Sequence, residues 1–351
     1  MSTDNLSAVL YGINDLRLEQ TPLPDEPGHN EVILESHTVG ICGSDIHFLT
    51  EGRIGPFVMK EPLILGHESS ATVVKVGPSV HHLNVGDRVA VEPQIPCRVC
   101  ESCKHGHYNV CPDTKFFATP PYNGSLTRLY KHAADFCFKL PEHVSYEEAS
   151  LMEPLAVAVH ACRRAGVKTG DVVLVVGAGP IGMSSVLVAK AFGASKILVT
   201  DINAKRVMAA HELGADFSYV LKSGSDAEKN AEEIVALLGD APHVTLECTG
   251  AAAAVSLALY ATRFSGTVCL VGIASGLSNV PLIYAVAKEV TITTSLRYAN
   301  CYPLALSLIA EGKVDPRPMI THRFDLEHAL EAFETVKRGE GVKVMIKCKR
   351  E

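Results

Sequence analysis

Four cysteines lie close together in the chain: Cys97, Cys100, Cys103 and Cys111. Two residues separate Cys97 from Cys100 and Cys100 from Cys103, a spacing that lets the three sulfurs converge on one ion. Cys111 follows after seven more residues and can supply the fourth ligand of a tetrahedron. Four thiolates without an open position are typical of a structural zinc site, which fixes its loop and carries out no reaction. An iron–sulfur cluster and four unmetallated thiols are the alternatives, and nothing else in the sequence indicates electron transfer.

A second set of metal-ligand residues is spread along the chain. Its members are Cys42 in Gly-Ile-Cys-Gly-Ser-Asp, His67 and Glu68 in Gly-His-Glu, and Glu153 in Met-Glu-Pro. Each residue alone is ambiguous, because a lone Cys is usually core and a lone His-Glu pair is usually surface. Glycines beside Cys42 and His67 leave room around those side chains. A Cys, a His, a carboxylate and an open fourth position together make up a catalytic zinc site, with Glu68 or Glu153 as the carboxylate.

A glycine-rich turn follows an apolar segment and precedes a helical one. Gly177, Gly179 and Gly182 match G-x-G-x-x-G in the strand–turn–helix context that the motif requires. Such a turn places a pyrophosphate on the helix N-terminus. Asp201 ends the next predicted strand, where a carboxylate accepts hydrogen bonds from ribose hydroxyls and repels a 2′-phosphate. This favours NAD over NADP, although Arg206 offers a positive charge nearby; a plain tight turn with Asp201 as a helix cap is the alternative.

The elements that position these residues differ between the two parts of the chain. Over 1–150, short alternating patterns at 31–35, 71–76 and 88–91 are separated by Gly and Pro. They predict an irregular, mostly β domain around Cys42, His67 and the four-cysteine segment.

From about residue 153, predicted strands alternate with helices. The strands lie at 172–176, 196–200, 219–221, 243–247, 267–271 and 290–293, and the helices end near 191, 211 and 238. This alternation is typical of βαβ units on a parallel sheet. Two helices near 303–311 and 327–337 and a strand at 343–347 follow. The fold class is therefore α/β, with a doubly wound parallel sheet and a second, mostly β domain.

Length and composition limit the classes of function. A chain of 351 residues predicts two domains, and a net charge of −7 leaves no basic surplus for nucleic acid. The N-terminus carries no visible targeting signal, and no apolar stretch approaches the roughly 20 residues that a membrane span needs. Eleven cysteines, an odd number, fit reduced thiols that bind metal. We expect a cytoplasmic protein without a membrane or nucleic-acid partner.

These segments together resemble the zinc-containing medium-chain dehydrogenases, and the polyol-dehydrogenase branch in particular. The matching segments are 39–47, 65–68, 86–93, 153–155, 160–166, 176–182 and 297–298. The resemblance covers essentially the whole chain. It implies a GroES-like catalytic domain built from 1–152 and 296–351, with the four-cysteine lobe at 97–111, and a Rossmann domain at 153–295.

The resemblance also implies roles for individual residues. Cys42, His67 and Glu68 hold a catalytic zinc with water or substrate, and Glu153 binds the metal or its water. Phe48, Glu153, Arg297 and Tyr298 are the implied substrate contacts. The implied cofactor contacts are Gly177, Gly179, Ile181, Gly182, Asp201, Arg206, Val271, Ile273, Ser295 and Arg297. Relatives of the polyol branch often carry Tyr at the position of Phe48, and the lost hydroxyl leaves the preferred polyol open.

The implied activity is hydride transfer between a polyol and its ketose with NAD as cofactor and two zinc ions per chain. Zinc acts as a Lewis acid on the alcohol oxygen, and Ser44, His47 and water near Glu153 are candidates for the proton exit. His47 as a packing residue is the alternative. Xylitol, arabinitol or threonine oxidation, a zinc-free reductase, and a non-catalytic nucleotide-binding protein are the other functions. A homo-oligomer, a tetramer by family analogy, is expected.

Overall fold

Two units divide the chain, whose computed structural model describes residues 4–273 and 279–350. The first unit comprises 1–153 and 320–351, and the second comprises 154–319. This division differs from the expected one, because it assigns 296–319 to the second unit. Residues of this segment contact the second unit: Arg163 donates to the carbonyl of Asn300 at 3.0 Å, and the Ser184 hydroxyl lies 3.9 Å from the sulfur of Met319.

Strands and helices of the described residues are numbered in chain order. The strands are β1 (Leu6–Gly12), β2 (Asp15–Gln20), β3 (Glu31–Gly40), β4 (Arg53–Ile54), β5 (Phe57–Val58), β6 (Leu63–Ile64), β7 (Glu68–Val76), β8 (Arg88–Val91), β9 (Gln94–Ile95), β10 (Lys115–Phe116), β11 (Leu129–Ala133), β12 (Cys137–Lys139), β13 (Val172–Val176), β14 (Lys196–Asp201), β15 (Phe217–Val220), β16 (Val244–Glu247), β17 (Thr267–Leu270), β18 (Thr291–Thr294), β19 (Ile320–Asp325) and β20 (Lys343–Lys347). The helices are α1 (Gly43–Glu51), α2 (Glu101–Lys104), α3 (Tyr146–Ser150), α4 (Met152–Ala165), α5 (Pro180–Ala191), α6 (Ala204–Glu212), α7 (Ala227–Leu238), α8 (Ala252–Ala261), α9 (Leu282–Lys288), α10 (Tyr302–Ala310) and α11 (Ala329–Lys337).

The first unit is built on a mostly antiparallel sheet. Its strand order is β12-β8-β7-β3-β20-β19, and β11 also pairs with β3. Met345 of β20 pairs with Gly40 of β3, so a late strand completes the sheet of the early ones. One apolar cluster includes Val39, Phe48 and Leu65, and all three side chains are buried. This sheet carries the ends of β3 and β7, where the candidate zinc ligands lie.

The second unit contains the predicted parallel sheet. Its order is β15-β14-β13-β16-β17-β18, and all five neighbouring pairs are parallel. In order of appearance along the chain this reads 3-2-1-4-5-6, the doubly wound Rossmann order, with the switch point between β13 and β16. All five residues of β13 are buried, as its unbroken apolar run predicts. The predicted fold class is confirmed.

Local sequence explains where the helices of this unit begin and end. Asp226 accepts hydrogen bonds from the backbone N–H groups of Glu228 and Lys229 at the start of α7, and Gly239 closes the helix in the left-handed region. The prediction did not include α4, α8 and α9. In α8 the residues are nearly all apolar, so no 3.6-residue period separates a buried from an exposed face. Within the described residues, no helix combines the length and apolar character needed to cross a bilayer.

Candidate active site and metal centres

Strand pairing brings together three of the predicted ligands. Gly40 at the end of β3 pairs with Glu68 at the start of β7, which places Cys42 next to His67 and Glu68. One ligand atom from each of the three residues lies within 4.8 Å of the other two. His67 and Glu68 are buried, and Cys42 is half-buried. A soft thiolate, an imidazole and a carboxylate at this spacing are a donor set that zinc accepts.

Two glycines make room for these ligands. A Cβ atom on Gly40 would overlap the Glu68 carboxylate. Gly66 has a φ of +87°, and a Cβ atom there would lie 2.7 Å from Cγ of Leu126. The small residues that the sequence places beside Cys42 and His67 are therefore required by space and by backbone conformation.

Asp45 organises the same site and was not foreseen. Its carboxylate accepts hydrogen bonds from the backbone N–H groups of Cys42 at 3.0 Å and of Gly66 at 3.1 Å, and one oxygen lies 3.6 Å from Nδ1 of His67. The sequence signal for this role is an acidic residue at the third position of α1, the helix that begins directly after Cys42. With Nδ1 facing Asp45, the other ring nitrogen of His67 is turned toward Cys42 and Ser44, whose hydroxyl lies 3.4 Å away.

The surroundings of His67 favour positive charge. Burial by itself lowers the pKa of this imidazole, but Asp45 and Cys42 beside it raise the pKa well above its ordinary value. The same negative groups stabilise a metal cation in place of a proton. The donor set and the electrostatics therefore both fit zinc.

Glu68 is also held by a buried lysine. Nζ of Lys343 lies 2.6 and 2.7 Å from the two oxygens of Glu68 and 3.3 Å from the carbonyl of Ile41. Both side chains are 1% exposed. Burial lowers the pKa of Lys343, but the Glu68 and Cys42 charges outweigh this effect, so the pKa is raised. Lys343 was not foreseen either, and its only signal in the sequence is one lysine beside an apolar strand segment.

The remaining candidates of the first unit lie in different environments. Glu153 is buried at the start of α4 but is not one of the three grouped ligands. His47 is exposed on α1, and its Nδ1 lies 3.1 Å from Glu51. Phe48, which the resemblance placed at the substrate, is 2% exposed and packs in the apolar cluster of the first unit.

The four cysteines of the lobe converge as their spacing predicts. Their sulfurs all lie within 4.8 Å of one another, and those of Cys97 and Cys103 are 4.0 Å apart. All four are free thiols. Sulfur atoms at about 2.3 Å from a shared tetrahedral zinc would be separated by nearly this distance. The backbone N–H of Cys100 also donates to the sulfur of Cys97 at 3.3 Å, which favours the thiolate.

In the second unit the three glycines of the G-x-G-x-x-G motif have different structural roles. Gly177 has a φ of +102°, and a Cβ atom there would lie 2.6 Å from Thr249. A Cβ atom on Gly182 would overlap the carbonyl of Gly177, so α5 packs directly on the turn. Gly179 precedes α5, and a Cβ atom there would have no described neighbour within 4 Å. The open space at the N-terminus of α5 fits a pyrophosphate.

Two carboxylates flank this turn at the carboxyl ends of their strands. Asp201 accepts hydrogen bonds from the backbone N–H groups of Ala178 at 2.8 Å and Asn203 at 2.9 Å. Glu247 at the end of β16 accepts from the N–H groups of Thr249 and Gly250, and it was not among the predicted site residues. Arg206 lies in the first turn of α6 and is half-buried. Asp201 is thus positioned by the turn that it follows.

The other cofactor and substrate candidates of this unit follow β17 and β18. Val271 donates its backbone N–H to the carbonyl of Glu247, and Ile273 is 69% exposed. Arg297 adopts the left-handed region with a φ of +49°. Tyr298 is fully buried with its ring 5.6 Å from that of Tyr302. Ile181 lies in the first turn of α5, and the hydroxyl of Ser295 is buried.

Known proteins resemble both units. The model of the alcohol dehydrogenase GroES-like domain matches residues 28–142, and that of the zinc-binding dehydrogenase matches 180–311. Sorbitol dehydrogenase of Bos taurus is 54% identical over 98% of this chain and 96% of its own. An Escherichia coli dehydrogenase of unknown specificity has a TM-score of 0.92 at 34% identity, covering 99% of each chain. An Escherichia coli alcohol dehydrogenase solved with NADH has a TM-score of 0.90 at 27% identity, covering 98% of this chain and 100% of its own.

Proposed function

The chain belongs to the zinc-dependent alcohol dehydrogenase family, and we propose that it interconverts a polyol and its ketose by hydride transfer to or from NAD. It is an oxidoreductase that uses zinc and a nicotinamide nucleotide. The observation that carries the polyol assignment is the 54% identity to a sorbitol dehydrogenase over nearly the full length. The grouping of Cys42, His67 and Glu68 supplies the metal ligands that this reaction needs.

Cys42, His67 and Glu68 would hold the catalytic zinc, which supplies Lewis acidity at the alcohol oxygen, while NAD accepts the hydride. Glu68 is favoured over Glu153 as the carboxylate ligand, because only Glu68 lies in the group of three. We assign Glu153 to the substrate or its water. Ser44, 3.4 Å from the ring of His67, would receive the proton of the substrate hydroxyl. Ser44 would at the same time give up its own hydroxyl proton, which the exposed His47 on the same helix would accept and pass to solvent.

The four-cysteine lobe would hold a second, structural zinc. Its four sulfurs lie close enough together to share one ion, and no fifth ligand or open position is needed. Such a site requires reduced cysteines, which supports a cytoplasmic location.

The test of the activity is a substrate panel with the purified holoenzyme. We expect polyols to be oxidised with NAD and ketoses to be reduced with NADH. Preferential turnover of threonine or of simple diols would replace the polyol assignment. A protein that binds zinc and nucleotide but turns over no alcohol would be a non-catalytic nucleotide-binding protein.

NAD specificity is proposed to depend on Asp201. Asp201→Ala is expected to raise the KM for NAD by about 10- to 100-fold, because one or two hydrogen bonds between a charged group and the ribose are lost. The KM for NADP should fall relative to that for NAD. Asp216→Ala is the matched control, since Asp216 also binds a strand N–H, that of Ile197 at 2.8 Å, but at the opposite end of β14. Steady-state kinetics with both nucleotides measure these KM values. A wild-type preference for NADP would contradict the role proposed for Asp201.

Assembly of several copies is supported by one edge of the second unit. In the sheet order β18 lies at the edge, and its Ile292 is 40% exposed. On the neighbouring α9, Ile283 and Val286 are 68% and 75% exposed. Exposed apolar residues beside an edge strand favour pairing with a second copy. We expect sedimentation equilibrium to give a homo-oligomer, a tetramer by analogy with the family. A single 37.6 kDa species at micromolar concentration would contradict this.

A further inference from the structure

Glu92 is a fully buried carboxyl group that the proposed reaction does not use. It follows β8 and is 0% exposed. One oxygen accepts a hydrogen bond from the Tyr108 hydroxyl at 2.8 Å, and the other has no hydrogen-bond partner among the described residues. Burial raises the pKa of Glu92 to about 8, the Tyr108 hydroxyl opposes this effect, and the charge of Glu153 adds to it. A buried acid held at one oxygen is costly to keep, so packing alone does not account for it.

Tyr108 belongs to the four-cysteine lobe. It begins the short 3-10 helix Tyr108–Val110, and its carbonyl accepts a hydrogen bond from the backbone N–H of Cys111 at 3.1 Å. The same carbonyl accepts a hydrogen bond from Nε2 of Gln94 at 2.8 Å. Its ring meets that of Phe136 edge-on at 5.7 Å. Tyr108 therefore joins a lobe cysteine to Glu92 and Gln94, which lie on either side of Pro93.

Gln94 continues this series of contacts toward the catalytic ligands. It is fully buried and pairs with Phe116 across the two short strands β9 and β10. The ring of Phe116 lies 5.7 Å from the imidazole of His67, tilted by 55°. Direct contacts therefore lead from a lobe cysteine through Tyr108, Gln94 and Phe116 to a proposed zinc ligand.

We propose that the hydrogen bond between Tyr108 and Glu92 is a positioning element through which the four-cysteine lobe holds Phe116 against His67, so that the state of the lobe changes the metal affinity of the catalytic site. Tyr108 contacts the segment after β8 at two points. Its hydroxyl donates to Glu92, and its carbonyl accepts a hydrogen bond from Gln94. Tyr108 and Glu92 are positioning residues, since they are argued to act through Phe116 and His67. The inference rests on the proposed function, because it assumes a metal at Cys42, His67 and Glu68.

A purely stabilising lobe has different consequences. In that case the loss of the Tyr108 hydroxyl lowers the free energy of unfolding and leaves the folded catalytic site unchanged. Positioning of His67 instead predicts a change at the metal of the folded enzyme. The decisive readout is therefore the catalytic metal itself, since groups that orient metal ligands tune both its affinity and its ligand field.

The experiment uses the zinc-loaded holoenzyme of the Tyr108→Phe variant, which loses one hydroxyl and keeps the ring. We expect the catalytic zinc to be released to a chelator about 10-fold faster than in the wild type, with the lobe zinc retained. With Co²⁺ in the catalytic site, the visible d–d bands should shift in the variant. Tyr122→Phe is the matched control, since Tyr122 follows the lobe and its ring contacts Lys115. Unchanged release and an unchanged cobalt spectrum in Tyr108→Phe would overturn the proposal.

Glu92 offers a conservative rescue. Glu92→Gln keeps an oxygen that accepts the Tyr108 hydrogen bond and should behave like the wild type, whereas Glu92→Leu should match Tyr108→Phe. Equal zinc release in the Gln and Leu variants would contradict the role given to the hydrogen bond. If Glu92→Leu does not fold, the comparison of Tyr108→Phe with Tyr122→Phe still decides.

A double-mutant cycle tests the connection to the lobe. Cys103→Ser weakens the lobe site, and we expect it to accelerate release of the catalytic zinc by about 3- to 30-fold. Adding Tyr108→Phe should then change the rate little further, because both substitutions break the same series of contacts. If the double variant instead released zinc at a rate that multiplies the two single accelerations, the lobe would act on the catalytic site by another route. A wild-type enzyme without metal at the catalytic site would instead refute the proposed function.

Discussion

His67→Ala is expected to leave one zinc ion per chain, in the lobe, whereas we expect the wild type to hold one in each of its two ligand groups. Because a zinc ion contributes several kcal/mol of transition-state stabilisation, kcat should fall by at least about 1000-fold. The proposed nucleotide site lies in the other unit, so the dissociation constant for NADH should stay near the wild-type value. Metal analysis, steady-state kinetics and NADH fluorescence titration measure the three quantities.

His82→Ala is the control for this experiment. His82 lies in the same unit, and its Nε2 is 2.9 Å from the carbonyl of Ala134, away from the ligand group. This variant should retain both zinc ions and its turnover. If His67→Ala kept two zinc ions and wild-type turnover, the assignment of the catalytic ligands would be wrong.

Lys343→Met is expected to lower the free energy of unfolding of the zinc-free protein by about 3 to 5 kcal/mol, because it leaves the buried charge of Glu68 without its partner. The loss should be smaller in the zinc-loaded protein, since the metal then compensates the carboxylate. Urea unfolding with an unchanged m-value measures the difference.

Two further variants separate charge pairing from packing. Lys349→Met removes the exposed ion pair with Glu35, whose atoms are 3.0 Å apart, and should cost less than about 1 kcal/mol. The double variant that combines Lys343→Met and Glu68→Leu replaces both partners of the pair. It should recover most of the stability of the zinc-free protein, because no buried charge remains. A Lys343→Met variant as stable as Lys349→Met would contradict the role given to the pair.

The sequence predicted those features whose determinants are local. The four-cysteine group and the Gly177–Gly182 turn each lie within a short segment, and their spacing alone indicates their geometry. The parallel sheet was predicted from the alternation of apolar strands and helices. Cys42, His67 and Glu68 were grouped from their residue types and from the resemblance to a family, since strand register cannot be read from a single sequence.

Features that depend on distant parts of the chain were missed. Lys343 contacts Glu68 across 275 positions of sequence, and no local pattern marks that pair. Asp45 was readable only as a helix-capping acid, although it orients His67. The placement of 296–319 in the second unit depends on contacts of Arg163 and Ser184, which sequence periodicity does not reveal.

The pairing of β20 with β3 has a consequence for biosynthesis. The residues of the second unit are contiguous in sequence and can fold as soon as they leave the ribosome, because domains fold as units. The first unit has to wait, since Lys343 and its strand are translated after the whole of the second unit. Until then, Glu68 has no lysine partner, and residues 38–40 of β3 lack the strand that pairs with them in the folded protein. A nascent chain can therefore assemble the unit with the proposed nucleotide site before the unit with the proposed metal ligands, and Glu68 gains its lysine partner only after the whole second unit has been made.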